Sequence, residues 1–194
     1  MLAGVLRHGE TKESGRFIGC TDSPLTPRGW RQMERAVAAA GRPWQRVVTS
    51  PLSRCARFAC HFAVRHSLPL EEEPRLRELD FGEWEGKSAE EILASDAASL
   101  ERFWNDPWNH PPPGGEPLAL FRERVLEAWE AMCHSAGRGD PLVVTHGGVI
   151  RLLLCHLEGR PPRALLSREV PLGSLHLLNL RNPAAGAVTL GGAG

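Results

Sequence analysis

Residues 141–157, PLVVTHGGVIRLLLCHL, contain a short apolar strand, a break at two glycines and then a helical pattern. The strand covers residues 141–145 and the helix residues 148–157. The same order of strand, break and helix occurs after residues 1–6 and again after residues 46–49. Strands that alternate with helices form mostly parallel sheets that are covered on both faces. The sequence therefore predicts an α/β fold with a mostly parallel central sheet.

Start and stop signals define the first two helices. Thr26 is a predicted N-cap followed by Pro27 at the first helical position, and this helix should end before Gly41. Ser50 and Pro51 repeat the cap-then-proline arrangement. They predict that a second helix starts directly after the middle strand.

The second half of the chain carries weaker signals. Ser88 predicts the cap of a short helix through residue 92, and residues 118–132 form the best amphipathic pattern. Residues 175–180 are predicted to form a late strand.

Residues 104–116, WNDPWNHPPPGGE, read as irregular because prolines and glycines interrupt regular structure. Two interpretations stay open for the tryptophans in this stretch. They could close the edge of the core, or they could form a lid over a substrate pocket, as long irregular loops often do. We predict a single domain over residues 1–194, with an irregular lid-like segment around residues 95–117.

Composition excludes several classes of partner. The 23 Lys and Arg residues balance 23 Asp and Glu residues, which gives no case for nucleic acid or an anionic membrane. Apolar runs are too short to span a bilayer, and the amino terminus lacks the pattern of a signal peptide. Five cysteines without a C-x-x-C pair favour a reducing cytoplasm. The histidine and cysteine spacings predict no metal site, and we expect no cofactor.

Histidines follow two of the predicted parallel strands, in the pairs His8-Gly9 and His146-Gly147. The carboxyl ends of such strands open into the ligand crevice. Each histidine could be a nucleophile, a base or a structural group. Glycine after each histidine would let backbone N–H groups approach an anion.

Two arginines are candidates to bind that anion. Arg7 precedes His8, and Arg54 lies near the start of the second predicted helix, beside its positive dipole. Guanidinium groups bind phosphoryl oxygens with planar, bidentate geometry. The alternative for Arg54 is a salt bridge, and Arg57 is a weaker candidate for the same role.

An acidic turn supplies the remaining chemistry. Cleavage of a phosphate ester needs an acid that protonates the leaving oxygen, and Glu78 or Asp80 could act if a phosphate dianion nearby keeps it protonated. Glu83 and Glu85 are predicted to lie on a solvated turn.

Four segments together resemble the signature blocks of the histidine phosphatase superfamily, in the order that the family has. They are LRHGET (6–11), SPLSR (50–54), LRELDFGEWEG (76–86) and VTHGGVIR (144–151).

The resemblance implies a phosphoglycerate mutase-like, three-layer α/β/α sandwich and a phosphohistidine intermediate. By the same resemblance His8 is the nucleophile and Glu78 the general acid, while Arg7, Arg54 and His146 hold the phosphoryl oxygens. The expected activity is a phosphomonoester hydrolase that acts on a small-molecule phosphate ester.

Three further segments are most similar to the α-ribazole phosphatase branch, namely residues 15–26, 80–86 and 111–118. This similarity implies α-ribazole 5′-phosphate, an intermediate of cobalamin nucleotide-loop assembly, as the substrate. We predict substrate contacts at Phe17, Gly19 and Gly147. Many members have a phosphate-binding asparagine where this chain has Ser14, whose hydroxyl could still donate a hydrogen bond.

Other functions stay open at this point. A broad-specificity small-molecule phosphatase is one, and a cofactor-dependent phosphoglycerate mutase is another. Such mutases carry a longer, basic insertion, whereas residues 89–116 contain only one arginine, Arg102. A phospho-ligand-binding domain of weak catalytic activity is the non-enzymatic alternative. Exposed tryptophan or leucine side chains on the helices would support a homodimer.

Overall fold

The computed structural model describes residues 1–180 and 188–190, and a six-stranded sheet lies at its centre. The strands are β1 (Leu2–Arg7), β2 (Arg46–Thr49), β3 (Leu70–Glu72), β4 (Pro141–Thr145), β5 (Leu175–Asn179) and β6 (Val188–Leu190). The α-helices of the described ranges are α1 (Pro27–Ala40), α2 (Ser53–His66), α3 (Ala89–Asn105), α4 (Leu118–His134) and α5 (Gly147–Leu157). None of these helices is long and apolar enough to cross a membrane.

The strand order β3-β2-β4-β1-β5-β6 makes the sheet mostly parallel. The pairs β1 with β4, β2 with β4 and β2 with β3 are all parallel, whereas β5 runs antiparallel to β1, and β6 to β5. Arg7 at the end of β1 lies opposite Thr145 at the end of β4. The residues that follow these strands therefore meet at one edge of the sheet.

Two apolar layers enclose the sheet and confirm the predicted three-layer α/β/α sandwich. Met33 of α1 and Phe58 of α2 pack on one face, together with Val47 and Leu142 of the sheet. On the other face α4 and α5 pack together with Val5 and Val143 of the sheet. The buried residues of these two helices include Phe121, Val125, Trp129, Ile150 and Leu153.

Helix α1 is confirmed with its predicted ends. The Thr26 hydroxyl accepts a hydrogen bond from the Gly29 N–H (3.0 Å), and Pro27 occupies the first turn. Gly41 ends the helix in the left-handed conformation, with φ 57° and ψ 26°. The chain then enters β2.

The predicted start of α2 is wrong. This helix begins at Ser53 after Leu52, and no side chain caps it. The Ser50 hydroxyl accepts a long hydrogen bond from the Leu52 N–H (3.4 Å), one residue ahead of the helix, and lies 2.7 Å from Nε2 of His146. Strands β3 and β6 were not predicted; each has three residues, too few for an alternating pattern.

Helix α3 is longer than predicted. Ser88 does cap it, through a capping box with Glu91, but the helix continues to Asn105 across a kink at Asp96. The predicted irregularity of residues 95–105 is therefore wrong, and the irregular part of this segment is residues 106–117. These residues are held against the acidic turn by hydrogen bonds from the Glu83 N–H to Pro113 O and from the Glu116 N–H to Asp80 O, both 2.9 Å.

Candidate active site

The candidate site lies at the carboxyl edge of the parallel strands. His8, Ser50 and His146 directly follow β1, β2 and β4. The His8 N–H donates to Thr145 O (2.9 Å), and the Ser50 N–H donates to Val144 O (3.0 Å). These bonds continue the sheet pairing for one residue, which brings the three side chains together.

His8 is held as a neutral imidazole. Its Nδ1 lies 2.8 Å from Gly9 O, and a carbonyl can only accept, so Nδ1 carries the proton. Nε2 therefore carries no proton, and its lone pair is available. Burial, together with the guanidinium groups of Arg54 and Arg7, lowers the pKa of His8 to about 3.

His146 has the opposite tautomer. Nε of Arg54 donates to Nδ1 of His146 (3.2 Å), so the proton is on Nε2, which donates to the Ser50 hydroxyl (2.7 Å). Burial and the charge of Arg54 hold the pKa of His146 well below its usual value. The two imidazole rings lie edge to face, with their centroids 5.3 Å apart.

Arg54 is fully buried, and it is bonded to backbone carbonyls rather than to a carboxylate. Nη1 donates to Thr21 O (2.9 Å) and Nη2 donates to Gly19 O (2.7 Å). The guanidinium thus keeps its positive charge uncompensated beside both histidines.

Glu85 holds the loop that supplies those carbonyls. Its carboxylate accepts hydrogen bonds from the N–H groups of Gly19 (2.9 Å), Cys20 (3.0 Å), Thr21 (3.0 Å) and Phe81 (3.1 Å). The prediction that Glu85 lies on a solvated turn is wrong. Successive backbone N–H groups form a natural carboxylate site, but only the folded loop brings them to Glu85.

Arg7 supplies the second guanidinium group near His8. Burial lowers the pKa of the Arg7 guanidinium to about 10, although Glu78 acts in the opposite direction. Nη1 donates to Val170 O, and Nε is buried without a partner in the described part of the chain. A Cβ at Gly147 would lie 3.1 Å from this Nε, so glycine makes room for the guanidinium.

Glu78 faces the amino terminus of α5. Its carboxylate accepts hydrogen bonds from the N–H groups of Leu79 (3.1 Å) and Gly148 (3.0 Å). A Cβ at position 148 would lie 2.3 Å from Oε1 of Glu78, so any other residue there would displace the carboxylate. The carboxylate of Asp80 instead accepts from the Gly82 N–H (2.8 Å) within its own turn.

An apolar cavity of about 140 Å³ opens beside Glu78. Glu78, Gly148 and Arg151 form its polar side. The aromatic residues that line it are Phe17, Phe81, Phe103, Trp104 and Phe121. Arg151 was not singled out from the sequence; its position in the last signature segment was the available signal.

Of the predicted substrate contacts, Phe17 lines the cavity, whereas Ser14 and Gly19 do not. The Phe17 ring packs edge to face on Phe81 with centroids 5.1 Å apart. Ser14 is exposed, and its hydroxyl accepts from the Thr11 N–H (2.8 Å) in a local turn. The Gly19 N–H already donates to Glu85, so this residue meets the site through its carbonyl and Arg54.

This arrangement can carry out displacement at phosphorus. It combines a neutral imidazole with two guanidinium groups that can stabilise phosphoryl oxygens, and a carboxyl group that can transfer a proton. Residues 4–191 match the histidine phosphatase superfamily (branch 1), and the chain belongs to this family. The protein is a phosphatase enzyme.

The relatives include alpha-ribazole phosphatases and phosphoglycerate mutases. Adenosylcobalamin/alpha-ribazole phosphatase of Escherichia coli (strain K12) is 30% identical over 95% of this chain and 93% of its own. The crystal structure of the alpha-ribazole phosphatase from Shigella flexneri has a TM-score of 0.83 at 27% identity, and the match covers 98% of this chain and 95% of that one. A probable phosphoglycerate mutase, GpmB of Yersinia enterocolitica, is 31% identical over 82% of this chain and 76% of its own.

Proposed function

We propose that this enzyme hydrolyses α-ribazole 5′-phosphate through a phosphohistidine intermediate on His8. The observation that carries the chemical part is the state of His8, a neutral imidazole with a free Nε2 near two guanidinium groups. An imidazole in this state is a nucleophile at neutral pH.

In the first step, Nε2 of His8 attacks phosphorus and the bond from phosphorus to the ester oxygen breaks. With the phosphate dianion bound nearby Glu78 is protonated, and it donates this proton to the departing oxygen. Arg7, Arg54 and His146 stabilise the phosphoryl oxygens while charge redistributes. The step leaves phospho-His8 and a free alcohol.

In the second step, Glu78 is a carboxylate and takes a proton from water. The resulting oxygen nucleophile attacks phosphorus, and the bond from phosphorus to His8 breaks. Inorganic phosphate leaves, and both His8 and Glu78 return to their starting protonation states. Neither step uses a metal ion.

The aromatic cavity supports the choice of substrate. α-Ribazole carries an aromatic, largely apolar base on its ribose, and five aromatic side chains line the space beside Glu78. Aromatic groups gain both burial and favourable ring contacts in such surroundings. The two alpha-ribazole phosphatases among the relatives support the same choice.

The substrate of a phosphoglycerate mutase fits the cavity less well. It carries a carboxylate and a second phosphate position, both of which need cations. Arg151 is the one arginine that lines the cavity within the described ranges. We therefore expect hydrolysis to exceed phosphoryl transfer to a second substrate alcohol.

A substrate screen tests the proposal directly. We expect kcat/KM for α-ribazole 5′-phosphate to exceed that for sugar phosphates, nucleotides and 3-phosphoglycerate by at least about 100-fold, since specific pockets discriminate by several kcal/mol. Equal, weak rates across the panel would indicate a broad-specificity phosphatase. Mutase turnover with 3-phosphoglycerate comparable to phosphate release would overturn the hydrolase assignment.

We also propose that the end of α3 and residues 106–117 form a wall over the substrate. Trp104 and Pro107 line the cavity, whereas Trp108 does not. We predict that Trp104→Ala raises KM for α-ribazole 5′-phosphate about 10-fold through lost aromatic contact. Trp108→Ala is the matched control, and equal effects of the two substitutions would contradict the proposal.

Cellular location and assembly are also part of the proposal. The location in the cytoplasm is supported by five cysteines that form no disulfide. The homodimer also stays a prediction, with Trp104 and Leu120 among the exposed large apolar side chains.

A further inference from the structure

Arg124 of α4 contacts the backbone of the turn that carries Glu78. Its Nη1 donates to Arg75 O and Arg77 O, each at 2.7 Å, and its Nη2 donates to Glu78 O at 2.9 Å. One guanidinium thus ties three carbonyls of a four-residue stretch to a long helix.

An ion pair with Glu116, largely shielded from solvent, fixes the orientation of that guanidinium. Nε and Nη2 of Arg124 bond the two carboxylate oxygens of Glu116, both at 2.7 Å, and the two side chains are only 18% and 17% exposed. The Phe121 ring packs below the guanidinium, 4.8 Å from ring centroid to Cζ. Paired and stacked in this way, the arginine has one geometry available.

The position of the Glu78 carboxyl group depends on this turn. Its two hydrogen bonds come from backbone N–H groups, one of them on the next residue, Leu79. No side chain in the described ranges bonds the Glu78 carboxylate. The carboxyl group is therefore held between Gly148 of α5 and the backbone of residues 78–79, and a shift of residues 75–79 would strain its bond to α5.

We propose that Arg124, oriented by Glu116, is a positioning residue that sets the Glu78 carboxyl group for proton transfer to the leaving group. The proposal rests on the role of Glu78 as general acid. Proton transfer requires the two oxygens at hydrogen-bond distance, and a displacement of about 1 Å can cost about 100-fold in rate.

Leaving-group dependence separates this role from a general effect on folding. Phenolate is a poor leaving group that needs the proton, whereas 2,4-dinitrophenolate leaves without one. The ratio kcat/KM reports only the steps up to departure of the leaving group, so hydrolysis of phospho-His8 does not enter. Phenyl phosphate and 2,4-dinitrophenyl phosphate are therefore the two probes.

We expect Arg124→Met to lower kcat/KM about 10- to 100-fold with phenyl phosphate and less than about threefold with 2,4-dinitrophenyl phosphate. Retained activity on the dinitrophenyl ester also shows that the variant is folded. Glu116→Gln keeps Arg124 but weakens its orientation, and we expect the same selective loss at a smaller size. Should Arg124→Met fail to fold, Glu116→Gln carries the test.

Arg42→Met is the matched control. Arg42 pairs with Asp140 (2.9 Å) in a similarly half-buried contact, and Asp140 accepts a backbone N–H from Leu2, away from the candidate site. We expect kcat/KM of Arg42→Met to stay close to the wild-type value with both esters. A selective loss in this control would overturn the interpretation.

Glu78→Gln distinguishes the two ways in which the proposal can fail. If Glu78→Gln shows no leaving-group selectivity, the acid role of Glu78 is wrong. If Glu78→Gln is selective while Arg124→Met and Glu116→Gln affect both esters equally, the positioning proposal alone is wrong.

Discussion

The two histidines of the site are set to different tautomers by single contacts. A backbone carbonyl fixes the proton of His8 on Nδ1, and Arg54 fixes that of His146 on Nε2. In the proposed mechanism the first ring attacks through Nε2, whereas the second accepts from Arg54 at Nδ1 and donates from Nε2. The distinction rests on one hydrogen bond in each case.

The Ser50 hydroxyl accepts the hydrogen bond from Nε2–H of His146, and removal of this hydroxyl should destabilise the protein. We predict that Ser50→Ala leaves that buried N–H without its acceptor, which costs about 1–3 kcal/mol in the free energy of unfolding. A freer ring should also lower kcat/KM about 10-fold. Denaturant unfolding and steady-state kinetics measure the two effects.

Ser53→Ala is the control for Ser50→Ala. Ser53 lies three residues further on and bonds Asp22 through its backbone N–H (2.9 Å), which the substitution keeps. Equal effects of the two substitutions would show that Ser50 has no special relation to His146.

The principal side chains could be predicted from the sequence, because strand ends and signature segments are local features. The positions of His8, His146 and Glu78 in one site agree with that prediction, while their roles stay proposals. Glu85 and Arg124 could not be predicted in the same way. Their partners are backbone groups from distant segments, and no residue pattern marks such partners before folding.

At the scale of elements, residues 18–21 connect the acidic turn to Arg54. Glu85 holds the N–H groups of this loop, and the loop presents its carbonyls to Arg54. The loop therefore transmits the position of one segment to the other.

We predict that Glu85→Gln weakens this connection. An uncharged amide cannot replace a carboxylate that accepts four N–H groups, so the free energy of unfolding should fall by about 3 kcal/mol. Inhibition by inorganic phosphate or vanadate should weaken several-fold as Arg54 loses its fixed position. Glu83→Gln, on an exposed residue of the same turn, should change neither quantity, and similar effects of both substitutions would contradict the prediction.

The elements themselves were predictable where their signals are local. Thr26, Pro27 and Gly41 define α1 through their own backbone preferences, and this prediction is confirmed. The start of α2 was missed because the Ser50 hydroxyl bonds Leu52, ahead of the helix, and His146. Strand β3 was missed because its side chains are exposed and give no apolar pattern. It forms mainly through backbone pairing with β2.

For the whole molecule, buried neutral histidines predict sensitivity to acid. Burial lowers the pKa of His8 to about 3 and that of His176 to about 4, and the pKa of His146 is also well below its usual value. Unfolded histidines bind protons near pH 6.5, so below this pH the unfolded state holds more protons. The free energy of unfolding should therefore fall as the pH falls from about 6.5 towards 4, by up to about 1.4 kcal/mol per pH unit and histidine.

His176→Gln tests this prediction away from the proposed chemistry. His176 lies 3.0 Å from the Ser174 hydroxyl, a contact that glutamine can replace. We expect a shallower dependence of stability on pH between about pH 6.5 and 4 in denaturant unfolding. His134→Gln on an exposed histidine should leave the slope unchanged, and a wild-type slope in His176→Gln would contradict the prediction.

The most direct measurement is to trap the phosphorylated enzyme. Glu78→Gln should accept the phosphoryl group from 2,4-dinitrophenyl phosphate, which needs no acid, but should hydrolyse it slowly because the base is absent. After an alkaline quench, which preserves phosphohistidine, peptide mass spectrometry locates the phosphate. We predict one phosphate on His8 and none in the His8→Ala variant; a burst of dinitrophenol without phospho-His8, or phosphate on another residue, would contradict the mechanism.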